Sequence, residues 1–430
     1  MDNVTLTNGT TTITLSNRTQ YSVVQWLPSY DGRESIRFEV LGSASEIASR
    51  LRDVETVLDE VQRWHVFGLG SRWWINWRPS GLSNWVESEI LYDERRPNVL
   101  RQGDKHSRRW DMQFTREPAW MGAESTISLT NGNGTGSLIS VDNTDDSSRD
   151  NWVEISGSAV LGDMPAIVEI YMSQNSSGKT LEQIRYGLRV KYTAGSWQKY
   201  VLENDEAATI VGSQTSDSAY SGGNYHSGTL SGETDIAMWR PDPAMIGEFN
   251  GLWRLIARGN FPGNVWAIGR SDNASWGVSE DLVETSPVDG TGPFVDLGIL
   301  RLPPWPDPKE DQSSRFELLV VGDGSGSWWL DYLMLMPAQE GYRVLSYDVA
   351  YWGYTDVTVD DGIRDEAGME SGTRRMLVAD AVGKRLMLIP GYDQRIYFHQ
   401  VGTAGGVDCD IDRQIQVTVR RRFRYRFFGS

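Results

Sequence analysis

Only one stretch of this 430-residue chain repeats its apolar residues at helical spacing: Ile47, Leu51, Val54, Leu58 and Val61, four and three residues apart in turn. Every other hydrophobic face must then belong to sheets. Segments such as Thr11–Leu15, Ile36–Leu41, Trp110–Thr115, Val153–Val160, Ile167–Met172, Trp253–Arg258, Phe316–Val321, Trp328–Met336 and Gln414–Phe428 are rich in β-branched and aromatic residues, with Gly, Asn, Asp or Ser turns between them. They read as strands, and the chain as mainly β, built of several β-sandwiches. The helix is expected over residues 44–64, opened by a capping box in which Ser43 caps and Glu46 reaches back. Its apolar repeat spans fewer than three heptads, which suits an amphipathic helix packed on its own sheet better than a coiled coil.

At about 150 residues per domain, the length predicts two to four domains. The 58 acidic and 41 basic residues leave a net charge of −17, which opposes binding to a phosphate backbone or an anionic bilayer. Cys409 is the sole cysteine, so an intrachain disulfide, a thiolate zinc site and a Cys-X-X-Cys pair are all impossible. The opening MDNVTLTNGTTTITL has neither the charged start nor the apolar run of an export signal, and nowhere do about 18 apolar residues follow one another. The expectation is assembly in a reducing cytoplasm without membrane insertion.

Catalytic signatures are missing from the sequence. The four histidines are scattered, with no pair at helical ligand spacing. Gly132–Gly136 and Gly322–Gly326 lack the Lys-Ser/Thr of a phosphate loop and read as hairpin turns. Asp142–Asp150 lacks the glycine and the bidentate glutamate of a calcium hand. These readings favour a binding or structural protein over an enzyme, and leave glycan hydrolysis by an unmarked carboxylate pair as an alternative.

Tryptophan divides the chain. Of 18 residues, eight fall between Trp26 and Trp120 and eight between Trp239 and Trp352, with only Trp152 and Trp197 between those groups. In the first region, FEVLGSASEIASRLRDVETVLDEVQRW (Phe38–Trp64) and RWDMQFTREPAW (Arg109–Trp120) resemble tail proteins of long-tailed bacteriophages. GDMPAIVEIYM (Gly162–Met172), RLMLIPGYDQRIYF (Arg385–Phe398) and IQVTVRRRFRYRF (Ile415–Phe427) are similar to the galectin-like sandwich of distal tail proteins. This resemblance implies a ring-forming, tail-tube-like body with one helix at 1–122 and a split galectin-like sandwich at 123–199 plus 341–430. It also implies contacts with copies of itself, with the tail tube and with the tail-tip hub.

LENDEAATIVG (Leu202–Gly212), YSGGNYHSG (Tyr220–Gly228) and GSWWLDYLMLMP (Gly326–Pro337) resemble the opening and closing strands of jelly-roll carbohydrate-binding modules. The resemblance implies an inserted jelly roll at 200–340 and a structural calcium held by Glu203, Asp205 and Asp331, with Glu206 an alternative to Asp205. Residues 200–340 would then interrupt the host sandwich at an exposed loop, where insertions are tolerated.

Sugar rings stack their C–H faces on exposed aromatics. Trp239 beside Arg-Pro-Asp-Pro, Trp276 in SDNASWG and Trp305 in PPWPDP stand in loop contexts and are the expected carbohydrate contacts, whereas Trp253, Trp266 and one of Trp328/Trp329 are expected in the core. In the last strand Arg420, Arg422, Arg424 and Arg426 alternate with Val419, Arg421, Phe423, Tyr425 and Phe427. In so acidic a chain this arginine stripe is either a subunit interface or an exposed face that blocks edge-to-edge pairing. The two resemblances, with the missing catalytic signatures, imply a virion tail component, assembled in the bacterial cytoplasm, whose insert is expected to contact host-surface glycans. A free polysaccharide-binding or glycanase-accessory protein is the alternative.

Overall fold

In the computed structural model the strand Arg33–Leu41 buries alternate residues, with Ile36, Phe38 and Val40 inward and Arg37 and Glu39 outward. That alternation recurs through the chain and makes it mainly β, with several separate antiparallel sheets and one long helix. The structure describes residues 3–26, 31–78, 84–91, 107–143, 150–160, 162, 164–174, 181–192, 197, 200–240, 251–273, 278–302, 314–346, 357–361, 366–371, 374–377, 380–384, 386–402 and 413–423. Two compact units emerge: Met1–Ser125 with Leu161–Ala166 and Val419–Ser430, and Thr126–Val160 with Ile167–Thr418.

In the first unit, Asn3–Thr7 pairs antiparallel with Thr12–Thr14 and with Trp74–Arg78, which in turn pairs with Val86–Leu91. A second run joins Tyr21–Gln25, Arg33–Leu41 and Ser107–Arg116. The helix Ala44–Phe67 begins with the expected capping box: the Glu46 amide donates to Ser43 Oγ, and the Ser43 amide to Glu46 Oε2 at 2.8 Å. It runs three residues beyond the expected Trp64 and stops at Gly68, whose φ of 65° is a left-handed conformation natural to glycine. Ile47, Val54, Val57 and Val61 are buried on the sheet core with Val4, Leu6, Phe38, Ile75, Trp77, Val86 and Trp110, while Leu51 and Leu58 are partly buried. Each full burial of such a side chain is worth about 1.5–3 kcal/mol, so this face, more than helix propensity, holds the helix in place.

The second unit contains a seven-stranded sheet and two six-stranded sheets. In the seven-stranded sheet, Trp152–Ile155 pairs with Gln394–Gly402, and Leu181–Val190 pairs with both Gln394–Gly402 and Tyr342–Ser346. Strands on either side of residues 201–337 therefore share one sheet. The intervening residues form the six-stranded pair. One sheet runs in the order Ser213–Ser216, Asn224–Ser231, Ser325–Pro337, Gly251–Asn260, Phe294–Leu302, with Val201–Glu203 also on Ser325–Pro337. The other runs Thr209–Ile210, Thr234–Trp239, Ser314–Asp323, Asn264–Asn273, Val278–Glu284.

Trp239, Trp253, Trp328, Leu255, Val265, Leu318 and Leu330 fill the core of this insert, and the same cluster continues through Tyr200 into Tyr342, Val344 and Tyr397 of the seven-stranded sheet. Tyr200 lies 4.8 Å from both Trp253 and Tyr397, ring to ring. Insert and host are one packed body. At Gly187 the two meet too tightly for a side chain, because a Cβ there would overlap the Pro337 carbonyl.

Candidate functional site

The strand register that builds the insert brings Ser325–Pro337 between Asn224–Ser231 and Gly251–Asn260, with Ser227 opposite Trp329 and Arg258 opposite Tyr332. Asp331 therefore sits beside the end of Gly251–Asn260, and the loop 217–223 folds over both. Asp331 has no exposed surface, and its Oδ2 accepts from the Ser221 amide at 3.1 Å and pairs with Arg258 Nη1 at 3.0 Å. Ser221 Oγ donates to Glu203 Oε1 at 2.7 Å, and the Trp239 indole Nε1 donates to the Glu203 carbonyl at 2.8 Å. Arg258, 1 % exposed, also donates from Nη2 to the Ala219 carbonyl at 3.0 Å. Five segments distant in sequence are thereby tied together around one buried ion pair.

The calcium ligands implied by the sequence resemblance are only partly brought together. Glu203 and Asp331 reach the same serine. Asp205 is exposed on the short 3-10 turn Asn204–Glu206, and Glu206 turns back so that its Oε2 accepts from the Glu203 amide at 3.1 Å. Among the described residues, no group of three His, Cys, Asp or Glu side chains is placed to hold a metal ion. A guanidinium, that of Arg258, already stands against Asp331, one of the carboxylates the resemblance assigns to calcium.

Above this network lie three half-buried rings that the sequence reading did not single out as a group. Tyr220, on the clamped loop, packs against Tyr225 at 4.3 Å with the rings 30° apart, and meets Trp329 edge-on at 5.3 Å. Tyr225 and Trp329 are 6.4 Å apart. Burial, with Tyr225 and Asp217 adding, raises the Tyr220 phenol above its ordinary value, and burial lowers nearby His226, so neither carries charge near neutrality. Neutral rings flanked by the hydroxyls of Thr215 and Ser227 and the amide of Asn260 suit a ligand with apolar faces and hydroxyl edges.

The tryptophan expectations need correction. Trp239 is 2 % exposed at the inner end of Thr234–Trp239 and belongs to the core, since its indole must reach the Glu203 carbonyl. Trp276 and Trp305 lie outside the described residues. Trp253 and Trp328 are core as expected, Trp329 is the outward member of its pair, and Trp266 is half-buried, not core. In the strand Arg413–Phe423, Ile415, Val417 and Val419 are buried while Gln414, Gln416, Thr418 and Arg422 are half-buried, so the alternation is real. The side chain of Arg420, together with Arg424 and Arg426, lies outside the described residues.

No protein-family model matches the chain, and no curated protein matches it. Among solved structures, chains of the phage p2 baseplate in its activated conformation, one with strontium and one with calcium, are similar at 9 % identity over 98 % of this chain and 98 % of theirs, with a TM-score of 0.26. A putative secreted protein from Parabacteroides distasonis is similar at 10 % identity over 57 % of this chain and 99 % of its own, with a TM-score of 0.13. Likeness at these TM-scores assigns no fold, and the functional reading rests on the residues of the chain itself.

Proposed function

We propose that this protein is a structural component of a bacteriophage tail, placed at the distal end or tip, where copies assemble into a ring and carry the inserted sandwich outward toward host-surface glycans. The observation that carries the reading is the pairing of Trp152–Ile155 and Leu181–Val190 with strands beyond residue 341, which makes 201–337 a body inserted into a host sheet. It matches the order of segments that resemble distal tail proteins and carbohydrate-binding modules. The chain acts by binding, with tail tube and hub as partners, and its assembly takes place in the bacterial cytoplasm.

Tyr220, Tyr225 and Trp329 are the contact surface this reading assigns to sugar. A weak contact repeated around a ring gains strength through effective concentration. The test is negative-stain imaging of the purified chain, with glycan-array binding measured beside it. Rings, and array signal lost in Trp329→Ala, support the proposal. A persistent monomer at high concentration overturns the tail reading. Tight monomeric glycan binding favours the free polysaccharide-binding alternative, and sustained release of sugar favours a hydrolase.

A further inference from the structure

The buried network beneath the ring cluster has the layout of a cation site, with a charge already in place. Two carboxylates, Glu203 at the end of Val201–Glu203 and Asp331 in the middle of Ser325–Pro337, converge on Ser221, and the loop 217–223 supplies the Ala219 carbonyl. Into this ring of oxygens projects Arg258, with Nη1 3.0 Å from Asp331 and Nη2 3.0 Å from Ala219 O. Its guanidinium carbon also stands 5.5 Å from the Tyr220 ring, 5.9 Å from Tyr332 and 6.0 Å from Phe294. A guanidinium is weakly hydrated, always charged and able to donate in several directions while stacking on aromatic faces. A hard divalent ion would instead demand six to eight oxygens free of a competing cation, and here the Arg258 guanidinium already takes Asp331 Oδ2 and the Ala219 carbonyl.

We propose that Arg258 supplies from within the chain the positive charge that the jelly-roll resemblance assigns to calcium, so that the insert closes without a metal and Arg258 is the positioning residue for loop 217–223 and its Tyr220. The carboxylate of Asp331 bridges the two, holding the loop through the Ser221 amide while neutralising the arginine. This proposal is independent of whether the insert binds glycans.

The test is thermal unfolding of the full chain, followed by tryptophan fluorescence in a chelating buffer and again in excess calcium, with calcium titration calorimetry in parallel. The expected result is one midpoint in both buffers and no calcium heat. Arg258→Met lowers the midpoint, Arg258→Lys lowers it less by restoring charge beside Asp331, and Arg258→Met/Asp331→Met lowers it less than Arg258→Met alone, because no stranded carboxylate remains. A wild-type midpoint that falls in chelator and returns with calcium overturns the proposal, as does an Arg258→Met chain as stable as wild type. Should Arg258→Met fail to fold, the chelator comparison on the wild-type chain still decides.

Discussion

Arg116 and Glu34, neither with any exposed side-chain surface, meet at 2.8 Å in the first unit, where the guanidinium of Arg116 also stacks 4.1 Å from the Trp120 ring centroid. Trp26 Nε1 donates to the other oxygen of Glu34 at 2.7 Å, and Arg116 Nη1 donates to the carbonyls of Glu117 and Pro118. Burial presses the Arg116 guanidinium below its ordinary value, and Glu34 opposes that shift. Removing one partner strands the other charge. Arg116→Met is expected to cost about 3–5 kcal/mol of stability, measured by denaturant unfolding, and Arg116→Met/Glu34→Leu to cost clearly less. A double-variant loss equal to the sum of the Arg116→Met and Glu34→Leu losses would show that the pair is not coupled.

The helix start gives a smaller and more local effect. Ser43→Ala removes the acceptor for the Glu46 amide and is expected to cost about 1 kcal/mol. The helical far-ultraviolet signal should persist while the unfolding midpoint drops. Glu46 is itself held below the ordinary carboxylate range by its bonds to Ser43, so acidification should erase part of the difference between wild type and variant.

His399 gives a pH dependence of known sign. It has no exposed surface, both ring nitrogens lack a hydrogen-bond partner among the described residues, and its ring meets Phe294 edge-on at 4.8 Å. Burial, with Arg185 and Arg258 adding, pushes its pKa well below 6.5. The unfolded chain accepts a proton near that pH and the folded chain refuses it. Stability should therefore fall as pH drops below 6.5, by about 1.4 kcal/mol per unit until the folded group titrates. His399→Leu should flatten this part of the curve, and an unchanged slope in that variant would assign it to other groups.

Gly187 and Pro337 set the contact between host sheet and insert. Gly187→Ala places a methyl group against the Pro337 carbonyl and should destabilise the second unit by about 1–3 kcal/mol, the usual cost of overpacking. Limited proteolysis is expected to cut that variant faster in residues 201–337 than wild type. Indifference to the methyl would mean the two bodies separate readily.

The parts of the fold governed by local pattern were legible in the sequence. Ser43 and Glu46 fix a helix start by themselves, and alternation in Arg33–Leu41 or Ile415–Val419 reports which side faces the core. The candidate site was less legible, because its geometry depends on pairing across distant strands. Arg258 meets Asp331 only through the register of Gly251–Asn260 on Ser325–Pro337, and no spacing announces it. Trp239 misled because its neighbours Arg-Pro-Asp-Pro are turn-forming while the indole itself belongs to the strand before them. Trp329 next to Trp328 carried the usable signal, since strand alternation must send one of two adjacent rings outward.

The pairing of Trp152–Ile155 with Gln394–Gly402 also orders events in time. A ribosome delivers the first of these strands long before the second, and the whole insert emerges in between. Strand contacts of such long sequence separation form late, after the loop between them has closed. The insert's own sheets draw on residues 201–337 alone and are free to condense first, acting as the clasp that shortens the chain between the host strands. Pulse-labelled hydrogen exchange during refolding should accordingly protect Gly251–Asn260 before Leu181–Val190, and the reverse order would mean the host sheet nucleates around an unfolded loop.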